Sequence, residues 1–346
     1  MKRSKYIGNR VIKTAISIFI TAWICELLNW PPVFAVITAI VTIEPTVSDS
    51  IKKGIVRFPA SAIGSAYAVI FISFFGNSPI TYTLAAFFTI FTCFKLRLHA
   101  GLLVATLTSV AMVEVIHSNL FIAFLIRLGT TSIGLIVSTV VNMFVWPPDY
   151  TKEIKLNIRS ISKRTALLIE KIFQDILEGN HEDDLLDKNL VKRMDNNLTK
   201  TERLMKFQKE ESKYHPLVGS ERDKFIVIQS KLNTLRLLHY HLDNLIQTPL
   251  EPTAWTKDEK SILIEAVSEL TLSLRRPSSF DIEKHHKQKR YLMTLFWDDN
   301  SNITKSNGQY PTYFPPELII LYELLSIYNQ VENFYKLEDE KNTTEH

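Results

Sequence analysis

Residues 30–65 read WPPVFAVITAIVTIEPTVSDSIKKGIVRFPASAIGS, and the rest of the chain is organised around this stretch. The apolar run from Val33 to Ile43 has 11 residues, about half of the ~20 that a helix needs to cross the hydrocarbon core of a bilayer. The run ends at Glu44-Pro45, and a polar segment separates it from the apolar run that Pro59 opens. A short hydrophobic segment that an acid and a proline interrupt is typical of a transport site, and it equally fits a short helix ending at the cytoplasmic surface.

The composition divides the chain into two parts. Residues 1–150 contain 11 Lys or Arg and 5 Asp or Glu, so 16 of these 150 positions are charged. Residues 151–346 contain 29 Lys or Arg and 31 Asp or Glu, which makes 60 charged positions out of 196. The first composition is typical of a membrane domain and the second of a soluble domain. We therefore predict two domains, residues 1–149 and residues 150–346.

Apolar segments dominate the first part. Lys and Arg precede the first segment, lie between the second and third and between the fourth and fifth, and follow the sixth, whereas the other connections contain neither. Because cytoplasmic loops carry an excess of Lys and Arg, we expect both termini on the cytoplasmic side of the plasma membrane. The prediction is a six-helix transmembrane bundle. Its segments lie at about residues 11–28, 32–46, 58–75, 79–94, 99–116 and 120–146.

After Tyr150 the pattern changes to amphipathic helices. Apolar side chains recur at three- and four-residue steps from Ile154 to Ile176, and a clear stripe runs from Phe225 to Ile246. Thr256 and Glu259 form a plausible capping box. We predict a cytoplasmic bundle of five or six helices and almost no strand, so the fold class is all-α throughout. Further helices are predicted at about residues 184–211, 256–274, 281–297 and 316–337.

The opening stretch also carries a family pattern: an aromatic-proline corner, a run of Val, apolar residues and Thr, a polar break, then Arg and small residues. In these residues the chain resembles the fusaric-acid-resistance and aromatic acid exporter proteins, and the region after Tyr150 resembles the cytoplasmic domain of one subgroup. The resemblance implies a membrane exporter of small aromatic or other organic acids. Its residues are Trp30-Pro31-Pro32-Val33, Ala35–Ala39, Glu44-Pro45-Thr46, Ser50, Gly54, Arg57, Ile63-Gly64-Ser65, Arg127, Gly134 and Pro147-Pro148.

Charged side chains inside the apolar segments are the best candidates for a site. A charge near the bilayer centre costs at least ~2.5 kcal/mol on insertion scales, so each needs a partner, water or room to reach the surface. Glu44 and Arg127 stand out, because Lys13 and Glu114 lie near segment ends. Arg57 is expected beside Glu44, where it gathers anions at the cytoplasmic mouth. The predicted pathway for substrate or ions comprises Lys13, Thr38, Thr42, Glu44, Arg57, Glu114 and Arg127.

Two roles for Arg127 stay open. It is the sole Lys or Arg of a 27-residue segment, and it either contacts the carboxylate of the cargo or pairs with Glu114 across the short turn at residues 117–119. A guanidinium offers a planar, two-pronged match to a carboxylate. Because no nucleotide-binding motif is present, we expect an ion gradient to drive transport, with protons handled by Glu44.

Other motifs carry little function. The chain contains no Walker A, GxGxxG or GxSxG sequence, so we expect neither enzyme activity nor a cofactor. His285-His286 lies in a basic helix on which adjacent side chains point to different faces, so it predicts contact with acidic lipid or a partner helix, not with a metal or nucleic acid. His239 is expected to be a hydrogen-bonded core residue. Cys25 and Cys93 are expected to be small buried side chains.

Two alternatives to an exporter remain. The first is a passive organic-anion channel, because a plant malate-channel family has a similar six-helix architecture. The second is a membrane-anchored sensor or scaffold that transports nothing. The expected partners are the lipid bilayer and a small organic anion. Rows of small residues also predict a homo-oligomer, most simply a homodimer.

Overall fold

The computed structural model of the chain describes residues 5–115, 119–178, 184–247, 255–305 and 315–342. Within these ranges the protein contains twelve α-helices, two short 3-10 turns and no β-strand, so the prediction of an all-α fold is confirmed. The chain forms two compact units. One comprises Met1–Asp149 and Phe207–Pro216, and the other comprises Tyr150–Lys206 and Leu217–His346.

Helices α3 and α6 form the centre of the first unit. Helix α6 packs against α1, α2 and α3, while α3 also packs against α4 and α5. These two helices carry many of the buried side chains of the unit, including Arg57, Ser61, Arg127 and Asn142. The bounds are α1 Lys5–Leu27, α2 Val33–Thr42, α3 Val47–Phe75, α4 Pro79–Lys95, α5 Leu102–Val115 and α6 Leu120–Phe144.

Helix α3 begins earlier than the sequence predicts. The polar residues from Val47 to Arg57, expected to connect two apolar segments, form the first turns of this 29-residue helix. The hydroxyl oxygen of Thr46 accepts a hydrogen bond from the backbone N–H of Asp49, which satisfies one of the free donors at the helix start. The helix continues through Pro59 without ending. The break between α2 and α3, which contains Pro45, is therefore only a few residues long.

Two helices among the described residues, α3 and α6, are long and apolar enough to cross a membrane by length and composition. Helices α2, α4 and α5 are apolar but shorter, with 10, 17 and 14 residues. Among the described residues, helix length and composition therefore support two membrane spans, fewer than the six that the sequence predicts. Most of the predicted turn between the fifth and sixth segments, residues 116–118, lies outside the described residues.

Glycine allows the central helices to touch. A Cβ on Gly64 would overlap the backbone carbonyl of Ala105 in α5, and a Cβ on Gly134 would overlap that of Ala35 in α2. Close backbone approach at small residues is the usual way in which helices associate in lipid. The Gly64 face of α3 therefore serves helix packing.

The first unit is polar inside and apolar outside. Its buried polar side chains include Lys13, Ser61, Arg127 and Asn142, each at most 4% exposed. Large apolar side chains cover its surface. This distribution suits an apolar surrounding, because apolar patches this extensive are rare on soluble proteins. The exposed side chains include Phe19, Trp23, Ile55, Phe74, Phe87, Phe91, Phe94 and Phe121.

The second unit is an amphipathic helical bundle whose helices start close to the predicted positions, while α11 and α12 continue past their predicted ends at residues 297 and 337 to Lys305 and Asn342. The capping box of Thr256 and Glu259 is present at the start of α10. The core of the second unit contains Phe173, Leu235 and Tyr328, all at most 1% exposed. The bounds are α7 Thr151–Glu178, α8 Asp184–Glu211, α9 Ser220–Gln247, α10 Lys257–Arg275, α11 Ile282–Lys305 and α12 Pro316–Asn342, and the last residues of α8 belong to the first unit.

The histidines of the second unit contact protein groups. His285 Nε2 lies 3.0 Å from the carbonyl oxygen of Tyr328, and His286 Nε2 lies 3.1 Å from a carboxylate oxygen of Glu332, so both contact α12 as a partner helix. His239 is buried as expected, but its Nδ1 has no hydrogen-bond partner. Burial lowers the pKa of His239 below its usual value. Cys25 and Cys93 are fully buried free thiols, as predicted.

Candidate functional site

Glu44 lies between two cations where α2 gives way to α3. Its two carboxylate oxygens accept hydrogen bonds from Arg57 Nη2 at 2.6 Å and from Lys53 Nζ at 2.8 Å. Lys53 and Arg57 are four residues apart and therefore share one face of α3. Two cationic partners favour the ionised carboxylate, so this environment does not suit the predicted proton-handling role of Glu44.

Asn142, near the end of α6, joins three segments. Its amide nitrogen donates hydrogen bonds to Ser50 Oγ at 2.9 Å and to the carbonyl oxygen of Glu44 at 3.1 Å. Its amide oxygen accepts a hydrogen bond from Lys13 Nζ at 2.9 Å. Lys13 is 4% exposed, so it is buried and does not extend to the surface as its position near a segment end allowed. Asn142 thus links α1, α3 and α6 through polar contacts.

Arg127 occupies a second buried cluster. The guanidinium donates to Thr108 Oγ1 through Nη2, and its Cζ lies 4.1 Å from the centroid of the Phe34 ring. Ser61 Oγ lies 3.2 Å from Thr131 Oγ1 and 3.4 Å from Thr108 Oγ1, so the hydroxyl that binds the cation belongs to a chain of three hydroxyl groups. Nε and Nη1 of Arg127 are buried without a hydrogen-bond partner. Such donors are rare in folded proteins, and here they leave the guanidinium able to bind an anion.

Glu114 does not pair with Arg127. It is exposed and accepts a hydrogen bond from the hydroxyl of Tyr82, so the structural pair considered above is not formed. Thr38 and Thr42 are buried, and their hydroxyls donate to the carbonyl oxygens of Phe34 and Thr38 in their own helix. The hydroxyl hydrogens of these two residues are therefore used within α2, so towards a ligand the hydroxyl oxygens can act only as acceptors. Among the predicted site residues, Glu44 and Arg57 are thus in direct contact, while Arg127 and Glu114 are apart.

Known proteins match both parts of the chain. The sequence pattern named aromatic acid exporter family member 1 matches residues 5–145. Residues 5–145 belong to the aromatic acid exporter family, and the chain as a whole belongs to the UPF0421 proteins. It is similar to UPF0421 proteins of Oceanobacillus iheyensis, at 48% identity over 97% of each chain, and of Bacillus cereus, at 42% identity over 98% of this chain and 96% of the relative. A UPF0421 protein of Staphylococcus saprophyticus is 37% identical over 93% of this chain and 96% of its own.

Membership of the aromatic acid exporter family makes the protein a membrane protein, in agreement with the apolar exterior of the first unit. The family pattern lies within that unit and contains both buried clusters. The second unit lies outside the pattern, but relatives share it along almost their whole length. Family membership supports an exporter, and the names of the relatives specify no cargo.

A buried polar face of α6 lies between the two clusters of this exporter-family unit. Fifteen residues separate Arg127 from Asn142, about 22 Å along a helix. The buried residues of α6 between them include Thr131, Gly134 and Ser138. On α3, Ser50, Arg57 and Ser61 face inward over a comparable length. The two helices therefore line a polar zone in the interior of an otherwise apolar unit.

Sequence reasoning missed several members of these clusters. Asn142 was the detectable one, because an amide within a 27-residue apolar segment is rare. Ser61 and Thr108 gave no signal, since small hydroxyl residues are common in membrane helices, and Ser50 entered only as part of the family resemblance. Glu211, whose carboxylate accepts a hydrogen bond from the backbone N–H of Val47 at 3.1 Å, lies 164 residues away in the chain. Within the described residues, no group of three or more His, Cys, Asp or Glu could hold a metal ion.

Proposed function

We propose that this protein exports small organic acids, including aromatic acids, across the plasma membrane. In this proposal helices α1 to α6 form the membrane domain, and residues 150–346 form a cytoplasmic domain. Membership of the aromatic acid exporter family supports export, and the apolar exterior of the first unit supports its position in the bilayer.

The observation that carries the proposal is the buried guanidinium of Arg127. It is 3% exposed, two of its nitrogens lack hydrogen-bond partners, and no carboxylate pairs with it among the described residues. An isolated cation in lipid is costly, so the site has an unmet requirement for an anion. A cargo carboxylate satisfies that requirement with two parallel hydrogen bonds. The hydroxyl groups of Ser61, Thr108 and Thr131 supply a polar surface beside it.

The distribution of Lys and Arg supports a topology with both ends in the cytoplasm. In this arrangement Lys13, Glu44 and Asn142 lie at the cytoplasmic side, and Arg127 lies deeper. Helices α2 and α5 are shorter than a full crossing, so they cover only part of the bilayer thickness. The polar faces of α3 and α6 then form the route between the cytoplasmic residues and Arg127.

An ion gradient supplies the driving force in this proposal. The membrane potential favours outward movement of an anion by about 2.3 kcal/mol per charge per 100 mV. Proton coupling through Glu44 requires this carboxylate to leave both Lys53 and Arg57 before it binds a proton. The proposal includes a homodimer in the membrane, for which the apolar exterior of the first unit offers a contact surface.

Flux measurements in proteoliposomes test the proposal. The purified chain is reconstituted and uptake or release of radiolabelled benzoate is measured with and without an imposed pH gradient and membrane potential. An exporter moves benzoate against its own gradient when an ion gradient is present. A passive channel shows only downhill flux. A protein that anchors or senses without transport shows no flux above that of empty liposomes, and this result would refute the proposal.

A further inference from the structure

A groove between helices α8 and α9 of the second unit has the size of a small-molecule site. It is an open cavity of about 720 Å³, and such sites usually measure about 300–1,000 Å³. Residues three and four apart share one face of a helix, and the lining residues of each helix follow this spacing from Lys188 to Asp195 and from Arg236 to Asp243. The exporter-family pattern ends at residue 145, so the groove lies outside it.

His239 and Val191 are the buried members of this lining, 8% and 6% exposed. Nδ1 of His239 is buried without a hydrogen-bond partner, and Nε2 lies 3.9 Å from Oδ1 of Asp195, which is too long for a hydrogen bond. Buried side-chain nitrogens nearly always have a partner. The imidazole ring of His239 therefore has a hydrogen-bonding capacity that a ligand in the groove can use.

Both acids of the groove already have donors. Asp195 accepts a hydrogen bond from Arg236 Nη1, and Asp243 accepts one from Gln247 Nε2 at 2.6 Å. A second acid, Glu202, binds Arg236 Nε at 2.7 Å. The charge of Arg236 is therefore balanced within the protein, and the lysines of the groove carry the positive charge that is open to a ligand.

These lysines are Lys188 and Lys192, both exposed and both on the groove face of α8. They are four residues apart, so their ammonium groups lie one helical turn from each other. Like charges at this spacing destabilise a helix, and an anion between them removes the repulsion. The α8 side of the groove therefore favours a carboxylate.

Tyr240 brings an aromatic ring to the opposite side of the groove. It follows His239 on α9 and is 61% exposed. An exposed aromatic ring offers its face or edge to another ring. The groove thus combines two cations, an aromatic ring and an unused hydrogen-bonding group.

We propose that the α8–α9 groove binds a small aromatic carboxylate, with the carboxylate group at Lys188 and Lys192 and the ring between Tyr240 and His239. This site is additional to Arg127, and its existence does not depend on transport. In the cytoplasmic placement proposed above for the second unit, it lets that unit sense organic acids on the side from which they are exported.

Photolabelling of the full chain in nanodiscs with para-azidobenzoate tests the site. Mass spectrometry of the peptides is expected to find the label within residues 188–195 or 236–247. An excess of benzoate should remove this label, whereas benzyl alcohol, which lacks the charge, and acetate, which lacks the ring, should leave most of it. The benzoate concentration that halves the groove label gives the affinity of this site alone, so binding at Arg127 does not enter.

Four variants test the assigned contacts. Lys192→Gln should weaken benzoate binding at the groove about threefold, as expected for one exposed ionic contact, and Tyr240→Ala about fivefold through loss of the ring contact. The matched controls are Lys200→Gln, an exposed lysine of α8 away from the groove, and Tyr322→Ala, a tyrosine of α12 that is 58% exposed. Both controls should bind benzoate like the natural chain.

Label confined to the first unit, or groove label that benzoate does not remove, would overturn the inference. Equal losses of affinity in the groove variants and their controls would overturn it as well. Benzoate flux in proteoliposomes is measured separately with the natural chain. Flux without groove label refutes only the groove site, while groove label without flux supports the groove site and refutes the export proposal.

Discussion

Lys13 and Asn142, 129 residues apart, form a buried hydrogen bond with 2.9 Å between Nζ and Oδ1. The same asparagine donates its amide hydrogens to Ser50 and to the carbonyl oxygen of Glu44. One neutral side chain thus fixes the relation of α1, α3 and α6 and satisfies a buried cation. The arrangement places cations, an acid and an amide at the same end of the exporter-family unit.

Asn142→Leu should destabilise the first unit. The change removes the side-chain partner of Lys13 and the amide donor of the Glu44 carbonyl, and loss of a hydrogen bond to a buried charged group costs about 1.5–3 kcal/mol. Adding Lys13→Met should recover part of the loss, because the unpaired charge is then absent. Thermal unfolding of the purified protein measures both effects, with exposed Asn77→Leu as the control. A midpoint unaffected by Asn142→Leu would contradict the assigned network.

Two glycine-to-alanine changes should have opposite signs. A Cβ at Gly134 would overlap the backbone of Ala35, and such overpacking costs about 1–3 kcal/mol. A Cβ at Gly54 would meet only the Leu135 side chain at 3.8 Å, an ordinary contact, so the helix gains up to about 1 kcal/mol. The unfolding midpoints of the two variants should therefore lie on either side of that of the natural chain. Equal shifts would argue against the close approach of α2 and α6.

The second unit should lose stability in acid through Glu332. Burial by itself raises the pKa of this carboxyl, but hydrogen bonds from Lys336, His286 and Lys289 outweigh it and lower the pKa from 4.5 to about 2. A depressed pKa in the folded state contributes stability above pH about 4.5 that is lost as the pH falls towards 2. Glu332→Gln should unfold more easily at pH 7 and show a flatter pH dependence in this range. The control is exposed Glu283→Gln, and a pH profile of Glu332→Gln that matches the natural chain would refute the assignment.

Cysteine labelling in intact cells tests the topology. Asn77 and Ser160 are both exposed in their units, and the native Cys25 and Cys93 are fully buried. With both termini in the cytoplasm, a cysteine at position 77 should react with an impermeant thiol reagent and one at position 160 should react only after the membrane is made permeable. Ser118 is a second predicted external position, but it lies outside the described residues. The reverse labelling pattern would exclude the proposed orientation.

The helices of the second unit could be predicted from the sequence because they are amphipathic, so apolar periodicity indicates them, and a capping box marks the start of α10. The predicted start of α3 was too late, because charged residues such as Lys53 and Arg57 are typical of a polar loop. The structure shows that both of them bind Glu44. The partners of Lys13 could not be found in advance. Asn142 lies 129 residues from Lys13 in the chain, and Glu211 lies 164 residues from its contact Val47. No local pattern encodes which helix packs where. The pair of Arg127 and Glu114, one of the two alternatives for Arg127, is absent because Glu114 contacts Tyr82.

Arg127 distinguishes an anion site from a structural ion pair. Because Glu114 contacts Tyr82 and not Arg127, Glu114→Gln should leave both the protein level and transport close to normal. Arg127→Lys should restore only part of the activity lost in Arg127→Gln, since an ammonium does not reproduce the two-pronged match to a carboxylate. Initial rates of benzoate flux report on both. Rescue of a non-accumulating Arg127→Gln protein by Glu114→Gln would instead reveal a structural pair.

The most direct measurement compares benzoate flux in proteoliposomes that contain equal amounts of the natural chain, Arg127→Gln or the matched control Arg97→Gln. Arg97 is an exposed arginine between α4 and α5, so its loss should not affect binding of the cargo. The account predicts gradient-driven flux for the natural chain and for Arg97→Gln. It predicts that Arg127→Gln loses at least nine-tenths of that flux, roughly 1.4 kcal/mol or more in free energy. Normal flux through a correctly folded Arg127→Gln protein would contradict it.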